Sequence, residues 1–317
     1  MTNNDTATTT FQAHLPSLPG ILGLCFTVFL LFPGYASAYE QRVPIHMLPQ
    51  GSTSLELIAA STESESAQLT PQDQQLSEMN NEIFASKFVI RHALGKRWEI
   101  GAEMPFFISR DKTVNTIKTQ TTNESENEGP GDLTLSTTYR WLESQRGGMG
   151  LLTGIDLKIP TGDEDHQLGT GTWDTGFRAV ASYRTPIGFP FLMGIYTWNN
   201  ETERNGIETD KGNELELALG LKTAFWHGLA LQVSGFYSCL TENRIREMGG
   251  KEAVFDQYQT SGFFIALRYR PIKSLELNLF HKSTYHLDDD FRLEGSPLKL
   301  DAKPSRSYGL ALKYFWW

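Results

Sequence analysis

The stretch Glu214-Leu215-Glu216-Leu217-Ala218-Leu219-Gly220-Leu221-Lys222 places a leucine at every second position, with charged or small residues between them. Side chains of a β-strand point alternately to the two faces of a sheet, so this period of two predicts a strand with one apolar face. A soluble β-sandwich buries such a face, whereas a membrane barrel turns it toward lipid and keeps the other face inside. The rest of the chain decides between these two architectures.

Three further segments share this period of two, with leucine and aromatic residues alternating with polar or small ones in 133–141, 275–279 and 308–316. In a barrel, the leucines and aromatic residues would face lipid and the intervening residues would face the interior. Residues 189–198 do not alternate cleanly, so their faces stay unassigned.

The connections between the predicted strands alternate in length. Five are short, at Leu94–Lys96, Glu143–Gly148, Thr185–Gly188, Trp226–Gly228 and Pro271–Ser274. Six are long and polar, at Ser61–Asn80, Asp111–Pro130, Asp163–Thr172, Asn199–Gly212, Glu242–Gln257 and His286–Pro304. Eleven connections join twelve strands, and short turns at one end with long loops at the other are typical of outer-membrane barrels, whose short turns face the periplasm. The sequence therefore predicts an all-β fold, a twelve-stranded antiparallel up-and-down barrel in the bacterial outer membrane.

Aromatic residues favour the barrel over the sandwich, because tryptophan and tyrosine prefer the membrane–water interface. One group lies near the short turns or the C-terminus: Trp98, Trp141, Phe189, Trp226, Tyr269 and Trp316. A second group lies near the long loops: Trp173, Trp198, Tyr237, Tyr258 and Tyr285. We expect two aromatic girdles.

The N-terminal region differs from the rest of the 317-residue chain, which is 39% hydrophobic and carries a formal net charge of -9. An apolar run, Ile21–Phe32, precedes Ala36-Ser37-Ala38, the pattern of a secretory signal and its cleavage site. No lysine or arginine precedes the run. We expect residues 1–38 to be a cleaved signal peptide and 39–317 to be the barrel, which leaves Cys239 as the one cysteine of the mature protein.

The chain ends in Tyr308-Gly309-Leu310-Ala311-Leu312-Lys313-Tyr314-Phe315-Trp316-Trp317. This run resembles the terminal aromatic signal by which outer-membrane barrels are recognised for assembly, although Trp317 overhangs the register of that signal. The resemblance implies the barrel-assembly machinery as a partner. The lipid bilayer and lipopolysaccharide are the other expected macromolecular partners.

Two segments resemble the family named after the MetA pathway of phenol degradation, whose members are described as outer-membrane transporters. They are Gly129-Pro130-Gly131-Asp132-Leu133-Thr134-Leu135 and Leu157-Lys158-Ile159-Pro160-Thr161-Gly162-Asp163, the second followed by Leu168–Asp174. The resemblance covers residues 83–184 and implies transport of aromatic or other small apolar solutes. The residues themselves favour tight loops, with a lumen-facing role for Asp132, Asp163 or Asp174 as the alternative.

Strand parity predicts which charged side chains line the lumen. The principal candidates are Glu99, Glu103, Arg140, Asp156, Lys158, Arg178, Arg184, Lys222, Arg268, Glu276 and Lys313. The same parity adds Asp132, Asp174, Glu214, Glu216, Arg270 and Lys282, which makes eight acids and nine bases. Balanced charges in a confined interior pair with each other, since an unpaired buried charge is expensive. We expect a narrow, charge-crosslinked channel for one small solute, with a plugged structural barrel as the alternative.

A lipid hydrolase is the other alternative. His281 and Ser283 share the predicted lipid face of one strand, and a histidine beside a serine activates it when a third polar group orients the imidazole. Outer-membrane phospholipases resemble this arrangement but follow the serine with asparagine, where this chain has Thr284. The sequence shows no metal-ligand spacing or cofactor motif. Its acidic balance disfavours nucleic-acid binding.

Overall fold

The computed structural model describes residues 46–117, 121–143, 148–163, 166, 168–204, 207–241, 243–247, 252–255, 258–287, 290–293 and 296–317. The predicted signal peptide and its cleavage site lie outside these residues. Among the described residues, Cys239 is a free thiol. No helix in the described part is long and apolar enough to cross a membrane.

Twelve antiparallel strands form a closed barrel, as predicted. Each pairs with the next along the chain, and the last pairs with the first from Thr53↔Trp316 to Glu63↔Arg306. The strands are β1 (Thr53–Leu69), β2 (Gln75–Ala93), β3 (Trp98–Thr116), β4 (Leu133–Leu142), β5 (Met149–Ile159), β6 (Asp174–Tyr183), β7 (Phe189–Trp198), β8 (Glu214–Trp226), β9 (Leu229–Leu240), β10 (Tyr258–Ile272), β11 (Leu275–His286) and β12 (Ser305–Trp316).

The long connections differ from the prediction, because most of their described residues continue the strands instead of forming loops. Strands β1, β2 and β3 run for 17, 19 and 19 residues, beyond the roughly 9 to 11 that cross a bilayer. Seven shorter strands extend the barrel at this end: Thr121–Gly129, Thr202–Arg204, Ile207–Asp210, Asn243–Glu247, Glu252–Phe255, Asp290–Leu293 and Ser296–Ala302. Beyond the bilayer, neither face of a strand needs to be apolar. The sequence of these extensions is therefore mostly polar and was predicted to be loop.

The opposite end has the five short connections that the sequence predicts, at 94–97, 143–148, 184–188, 227–228 and 273–274. The turn between β8 and β9 has only two residues. Its second residue, Gly228, has a φ of 75°, and a Cβ there would collide with the carbonyl oxygen of Arg270. Glycine at this position therefore permits both the turn and the close approach of β10.

The faces of β4, β8, β11 and β12, where the alternation is clearest, follow the predicted parity. On β8, Leu217 is 45% exposed on the outside, whereas its neighbour Ala218 is 2% exposed on the inside. The structure also assigns β7, which the pattern left open. Phe191, Met193 and Ile195 are buried inside, while Leu192 lies outside. Because both faces of β7 are apolar, its sequence shows no period of two.

The aromatic girdles form with two exceptions. At the short-turn end, the Tyr139 ring lies 4.8 Å from that of Trp98 and 4.7 Å from that of Trp141, measured between centroids. Phe189 instead contacts the interior residue His46, and Tyr258 is buried. These two aromatic residues were wrongly predicted to face lipid.

A β-bulge interrupts the pairing of β2 with β3 between Ser86 and Lys87. Opposite it, the buried positions of β3 change from the odd residue Glu99 to the even residues Ile108 and Arg110. A bulge inserts an unpaired residue and so reverses the alternation beyond it. Simple parity therefore fails in the second half of β3.

Candidate functional site

One side of the barrel interior is apolar. We call it the apolar wall: a buried cluster contributed by five consecutive strands, β5 to β9, and consisting of Leu152, Val180, Phe191, Met193, Ile195, Ala218 and Phe236. Several of these residues are direct neighbours across the sheet, in the row Leu152↔Val180↔Met193↔Ala218↔Phe236. The row presents a continuous apolar strip to the inside.

The segment before β1 enters the barrel and contacts this strip. Met47 is 7% exposed and belongs to the same buried cluster as the apolar wall. The backbone N–H of Leu48 donates a 2.7 Å hydrogen bond to Oε2 of Glu99, and the His46 ring packs edge-on against Phe189. The apolar wall is therefore in contact with the side chain of Met47, which belongs to the same chain but not to the sheet.

The environment of His46 opposes its protonation. Burial lowers the pKa of His46 from 6.5 to about 4, and the positive charge of Lys222 contributes next. The neutral imidazole is therefore favoured where this segment lies inside the barrel.

The opposite side carries ion pairs and is called the charged wall: Glu56, Lys87, Arg91, Glu99, Glu103 and Lys313, on β12, β1, β2 and β3. Lys313 and Glu56 face each other across the β1–β12 closure with Nζ and Oε2 3.4 Å apart. Arg91 lies 3.2 Å from Glu99, and Lys87 bonds to Glu103. Each acid on this wall thus has a basic partner on a neighbouring strand.

Other predicted lumen charges pair elsewhere in the interior. Arg178 lies 3.3 Å from Asp156 and donates a 3.2 Å hydrogen bond to Thr138. The guanidinium of Arg268 lies 3.1 Å from the carboxylate of Glu276. These two pairs join charges that parity had placed on the same face.

Three of the predicted lumen residues lie beside groups other than the interior carboxylates with which they were expected to pair. Arg140 reaches Glu143 in the adjacent short turn, at 3.4 Å, instead of an interior carboxylate. Arg184 is exposed past the end of β6, with its guanidinium 5.6 Å from the centroid of the Phe189 ring. Lys222 is half-buried opposite Phe189 on the neighbouring strand.

Sequence reasoning missed Glu56, Lys87 and Arg91, which complete the charged wall. Their signal was present in β1 and β2, where Glu56 alternates with the outward residues Leu55 and Leu57. The long loop assigned to Ser61–Asn80 hid the extent of these two strands. Because both strands were predicted too short, no lumen-facing residues were assigned to β1 and β2.

The family-like segments build a loop anchor at the long-hairpin end. One carboxylate oxygen of Asp132 accepts a 3.0 Å hydrogen bond from the N–H of Gly162, and the other accepts one of 2.8 Å from the N–H of Thr170. Lys158 bonds to Asp174 and lies 4.0 Å from Asp132. The two aspartates are nearly inaccessible to solvent, so they hold the loop that follows β5 rather than forming an open binding site.

A half-buried lysine and a buried leucine complete this end of the barrel. Burial lowers the pKa of Lys211 to about 8, and the charge of Lys158 adds to the effect, while Asp174 and Asp132 oppose it. Leu168 packs with the interior residues Ile83 and Ile108 of β2 and β3. Leu168, in the loop after β5, therefore lies inside the mouth of the barrel.

The histidine–serine pair of β11 is in contact, with Nε2 of His281 2.9 Å from Oγ of Ser283. The imidazole lies between the rings of Tyr308, 4.6 Å away, and Phe263, 5.6 Å away. Its Nδ1 is buried and has no hydrogen-bond partner among the described residues. The third group that orients a catalytic histidine is thus not found in the described part of the chain.

Metal binding was not expected from the sequence. Within the part of the chain that the structure describes, no group of three or more His, Cys, Asp or Glu side chains is placed to hold a metal ion. The expectation that the barrel works without metal or cofactor stays a prediction.

Solved structures with this fold are outer-membrane barrels. An outer membrane channel from Pseudomonas putida F1 matches with a TM-score of 0.61 and 12% identity, covering 86% of this chain and 98% of that one. The transport unit of the autotransporter AIDA-I from Escherichia coli matches with a TM-score of 0.54 and 7% identity, covering 88% and 97%. At these identities the likeness shows the fold, a β-barrel of the bacterial outer membrane.

No curated protein matches the sequence. A family model does match, over residues 107–270, and it carries the description "Putative MetA-pathway of phenol degradation". The matched region runs from β3 to β10 and so includes the Asp132 anchor, the complete apolar wall and the Arg178–Asp156 pair. It covers more than half of the chain, and the protein belongs to this family.

Proposed function

We propose that the protein is an outer-membrane channel for small apolar molecules, including aromatic ones. The observation that carries the proposal is the apolar wall, which seats Met47 inside a membrane barrel. A route for ions or sugars would present exposed polar groups there. This strip is apolar, so an apolar solute that covers it gains free energy, whereas a polar solute would lose hydrogen bonds to water. Membership of a phenol-degradation family and the fold shared with an outer membrane channel support the same function.

The charges of the interior fit this function because they are directed at one another. Paired side chains such as Lys313 with Glu56 and Arg91 with Glu99 satisfy each other within the wall. A buried ion pair that is already hydrogen-bonded offers little to a passing ion. The solute route therefore runs along the apolar wall, and the ion pairs stiffen the side that faces it.

Uptake by intact Gram-negative cells tests the proposal, since their lipopolysaccharide leaflet excludes the apolar dye N-phenyl-1-naphthylamine. Cells that produce the wild-type barrel should take up the dye faster than cells that produce Met193→Gln. We expect a rate about tenfold lower for the variant, because a buried amide without a hydrogen bond costs about 1–3 kcal/mol. The matched control is Met79→Gln, since Met79 is equally buried but packs against Val114 away from the apolar wall. Equal rates for wild type and empty cells would refute the channel.

The orientation is also a proposal: we infer that the long hairpins face the cell exterior and the short turns the periplasm. The asymmetry of the connections supports this orientation. A cysteine at Ser125, in an otherwise Cys239→Ser chain, should react with a membrane-impermeant maleimide on intact cells, and one at Glu143 should not. The reverse pattern would require an inverted barrel.

Two partners follow from the outer surface. We infer that the assembly machinery recognises β12, where Trp316 faces outward while Phe315 lies inside, 4.6 Å below the guanidinium of Arg270. Lipopolysaccharide would surround the hairpin end, where Trp173 and Trp198 are exposed. Truncation after Tyr314 should lower the yield of assembled barrel.

The contact between His281 and Ser283 favours lipid hydrolysis as a second candidate. Against it, Ser283 is 4% exposed and Nδ1 of His281 lacks an orienting partner among the described residues. We expect purified protein to release no fatty acid from phospholipid micelles. Hydrolysis that disappears in Ser283→Ala would establish the enzyme and replace this expectation.

A further inference from the structure

Three phenylalanines of the interior each lie against a glycine on the next strand. Phe191 on β7 is directly paired with Gly220 on β8, Phe236 on β9 with Gly262 on β10, and Phe280 on β11 with Gly309 on β12. All three phenylalanines are 5–6% exposed. The pairs therefore repeat the same arrangement at every second strand interface of this half of the barrel.

The rings occupy the space that a side chain on the glycine would need. A Cβ built on Gly220 would lie 2.5 Å from Cζ and 2.7 Å from Cε1 of Phe191, where ordinary contact begins at 3.4 Å, and it would also lie 2.6 Å from Cβ of Ser234 on β9. The same construction on Gly309 would collide with Cζ of Phe280 and with the carbonyl oxygen of Ala59. On Gly262 it would collide first with the carbonyl oxygen of Ser283 and then with the ring of Phe236. Each ring thus lies along the barrel wall, with its tip over the neighbouring strand.

Outward-facing glycines on the same strands show that this is not a general property of the sheet. A Cβ on Gly235, next to Phe236, would find its nearest atom 3.8 Å away, and one on Gly194 would find Leu217 at 3.4 Å. A glycine inside a strand weakens it and commonly marks a close approach. Here the close approach is that of an aromatic ring on the interior face.

Phe191 and Phe236 belong to the apolar wall, and the seat of Met47 is formed by the same cluster. A methyl group on Gly220 has to move the Phe191 ring away from the wall. The direction left open is inward, toward Met47, Met193 and Ile195, because β8 itself lies on the other side. The glycine therefore sets how much room the apolar wall leaves for a guest.

We propose that the Phe191–Gly220 pair determines which apolar solutes the interior accepts, by holding the ring flat so that compounds of more than one ring can lie along the apolar wall. The other two pairs do not offer such a surface, because the ammonium of Lys282 lies 4.3 Å over the centre of the Phe236 ring and Phe280 lies outside the apolar wall. Gly220 acts as the principal specificity-determining residue. The inference rests on the proposed channel function and deepens it. It adds a solute class, flat hydrocarbons with fused rings, and a residue that excludes or admits them.

Uptake of two radiolabelled hydrocarbons by intact cells, toluene with one ring and phenanthrene with three, tests the inference. Gly220→Ala should reduce phenanthrene uptake about tenfold and toluene uptake far less, as one misplaced methyl group in an apolar pocket is worth about that factor. Gly235→Ala, the matched control on the outer face, should change neither rate. The double variant Phe191→Leu/Gly220→Ala should recover part of the phenanthrene uptake, since a leucine removes the collision with the ring while the one with Cβ of Ser234 remains.

Heat-modifiable mobility in gels shows whether each variant is folded. If Gly220→Ala fails to assemble, Phe191→Leu alone provides the test, because a smaller side chain should raise the ratio of phenanthrene to toluene uptake. An unchanged ratio in a folded variant overturns the inference while leaving the channel intact. Failure of the wild type to admit either hydrocarbon overturns the proposed function, and this inference with it.

Discussion

The charged wall and the apolar wall lie in the same barrel and obey the same alternation, yet they are built differently. On the charged wall, groups such as Glu56 and Lys313 are bound to one another across strands. On the apolar wall, Val180, Met193 and Phe236 pack together with a residue from outside the sheet, Met47. Directional bonds fix the first wall to one arrangement. The second is held only by contact area and can exchange Met47 for another apolar group of similar size.

Breaking an ion pair of the charged wall should have the largest effect. Lys313→Met leaves Glu56, only 8% exposed, without its lysine. We expect a loss toward the lower end of about 3–5 kcal/mol in the free energy of unfolding, the usual cost of removing one partner of a buried ion pair, because Glu56 keeps its other interactions. Urea titration in detergent micelles measures it. The double variant Lys313→Met/Glu56→Gln should recover most of the loss, and a single variant as stable as wild type would mean that the pair contributes nothing.

The second prediction compares a substitution on the outward face of β8 with one on the inward face of β9. Leu217 faces outward on β8, whereas Gln232 lies on the inward face of the adjacent β9, opposite Lys222. Leu217→Arg should cost about 2 to 4 kcal/mol, because it places a charge in the lipid near the midplane. Gln232→Arg should cost less. The yield of heat-modifiable barrel compares them, and equal yields would contradict the face assignment of β8.

The third effect concerns Arg178, which pairs with Asp156 on strands that also carry the apolar wall. Arg178→Ala removes the positive partner and leaves a carboxylate in the interior, so the residual conductance should become more selective for cations. Reversal potentials in a planar bilayer under a salt gradient report this change. Arg246→Ala is the control, because the Arg246–Glu208 pair lies in an exposed hairpin where ion pairs are weak. Unchanged selectivity in Arg178→Ala would favour a plugged barrel.

The smallest effect is a pH dependence of the N-terminal segment. Because the pKa of His46 is lowered to about 4 from 6.5, its docked form binds fewer protons than a free histidine between those values. Docking is therefore fully favourable above about pH 6.5 and weakens as the pH falls toward 4. Conductance should rise on acidification through this range. His46→Phe should abolish the rise, and its persistence in that variant would assign the titration to another group.

Much of the architecture followed from the sequence because the signals involved are local. The period of two from Leu215 to Leu221 indicated the outward face of β8, and short turns such as 227–228 indicated one end of the barrel. Extents were less predictable. Polar strands beyond the bilayer, such as Thr121–Gly129, lack an apolar face, so they looked like loops. The bulge opposite Ser86 and Lys87, where Phe106 is the extra residue of β3, was not predicted because an extra residue leaves no compositional trace.

The candidate site was predicted only in part. Parity placed Arg178, Asp156, Arg268 and Glu276 on one face without assigning the individual pairs, which the structure gives as Arg178–Asp156 and Arg268–Glu276. Glu99 binds Arg91 on the neighbouring strand, a residue that was not among the predicted lumen charges. The apolar wall was missed altogether, because β7 is apolar on both faces and because Met47 precedes the first strand.

By itself, the sequence determined that this chain is a twelve-stranded membrane barrel, which faces of most strands meet lipid, and to which family its central region belongs. Only the tertiary structure decided which charges meet, that Phe191 lies over Gly220, and that Met47 fills the apolar wall. The physical reason is the range of the interactions. Alternation of side chains is set within one strand, whereas partners across the interior depend on the register that closing β1 against β12 imposes on every strand between them.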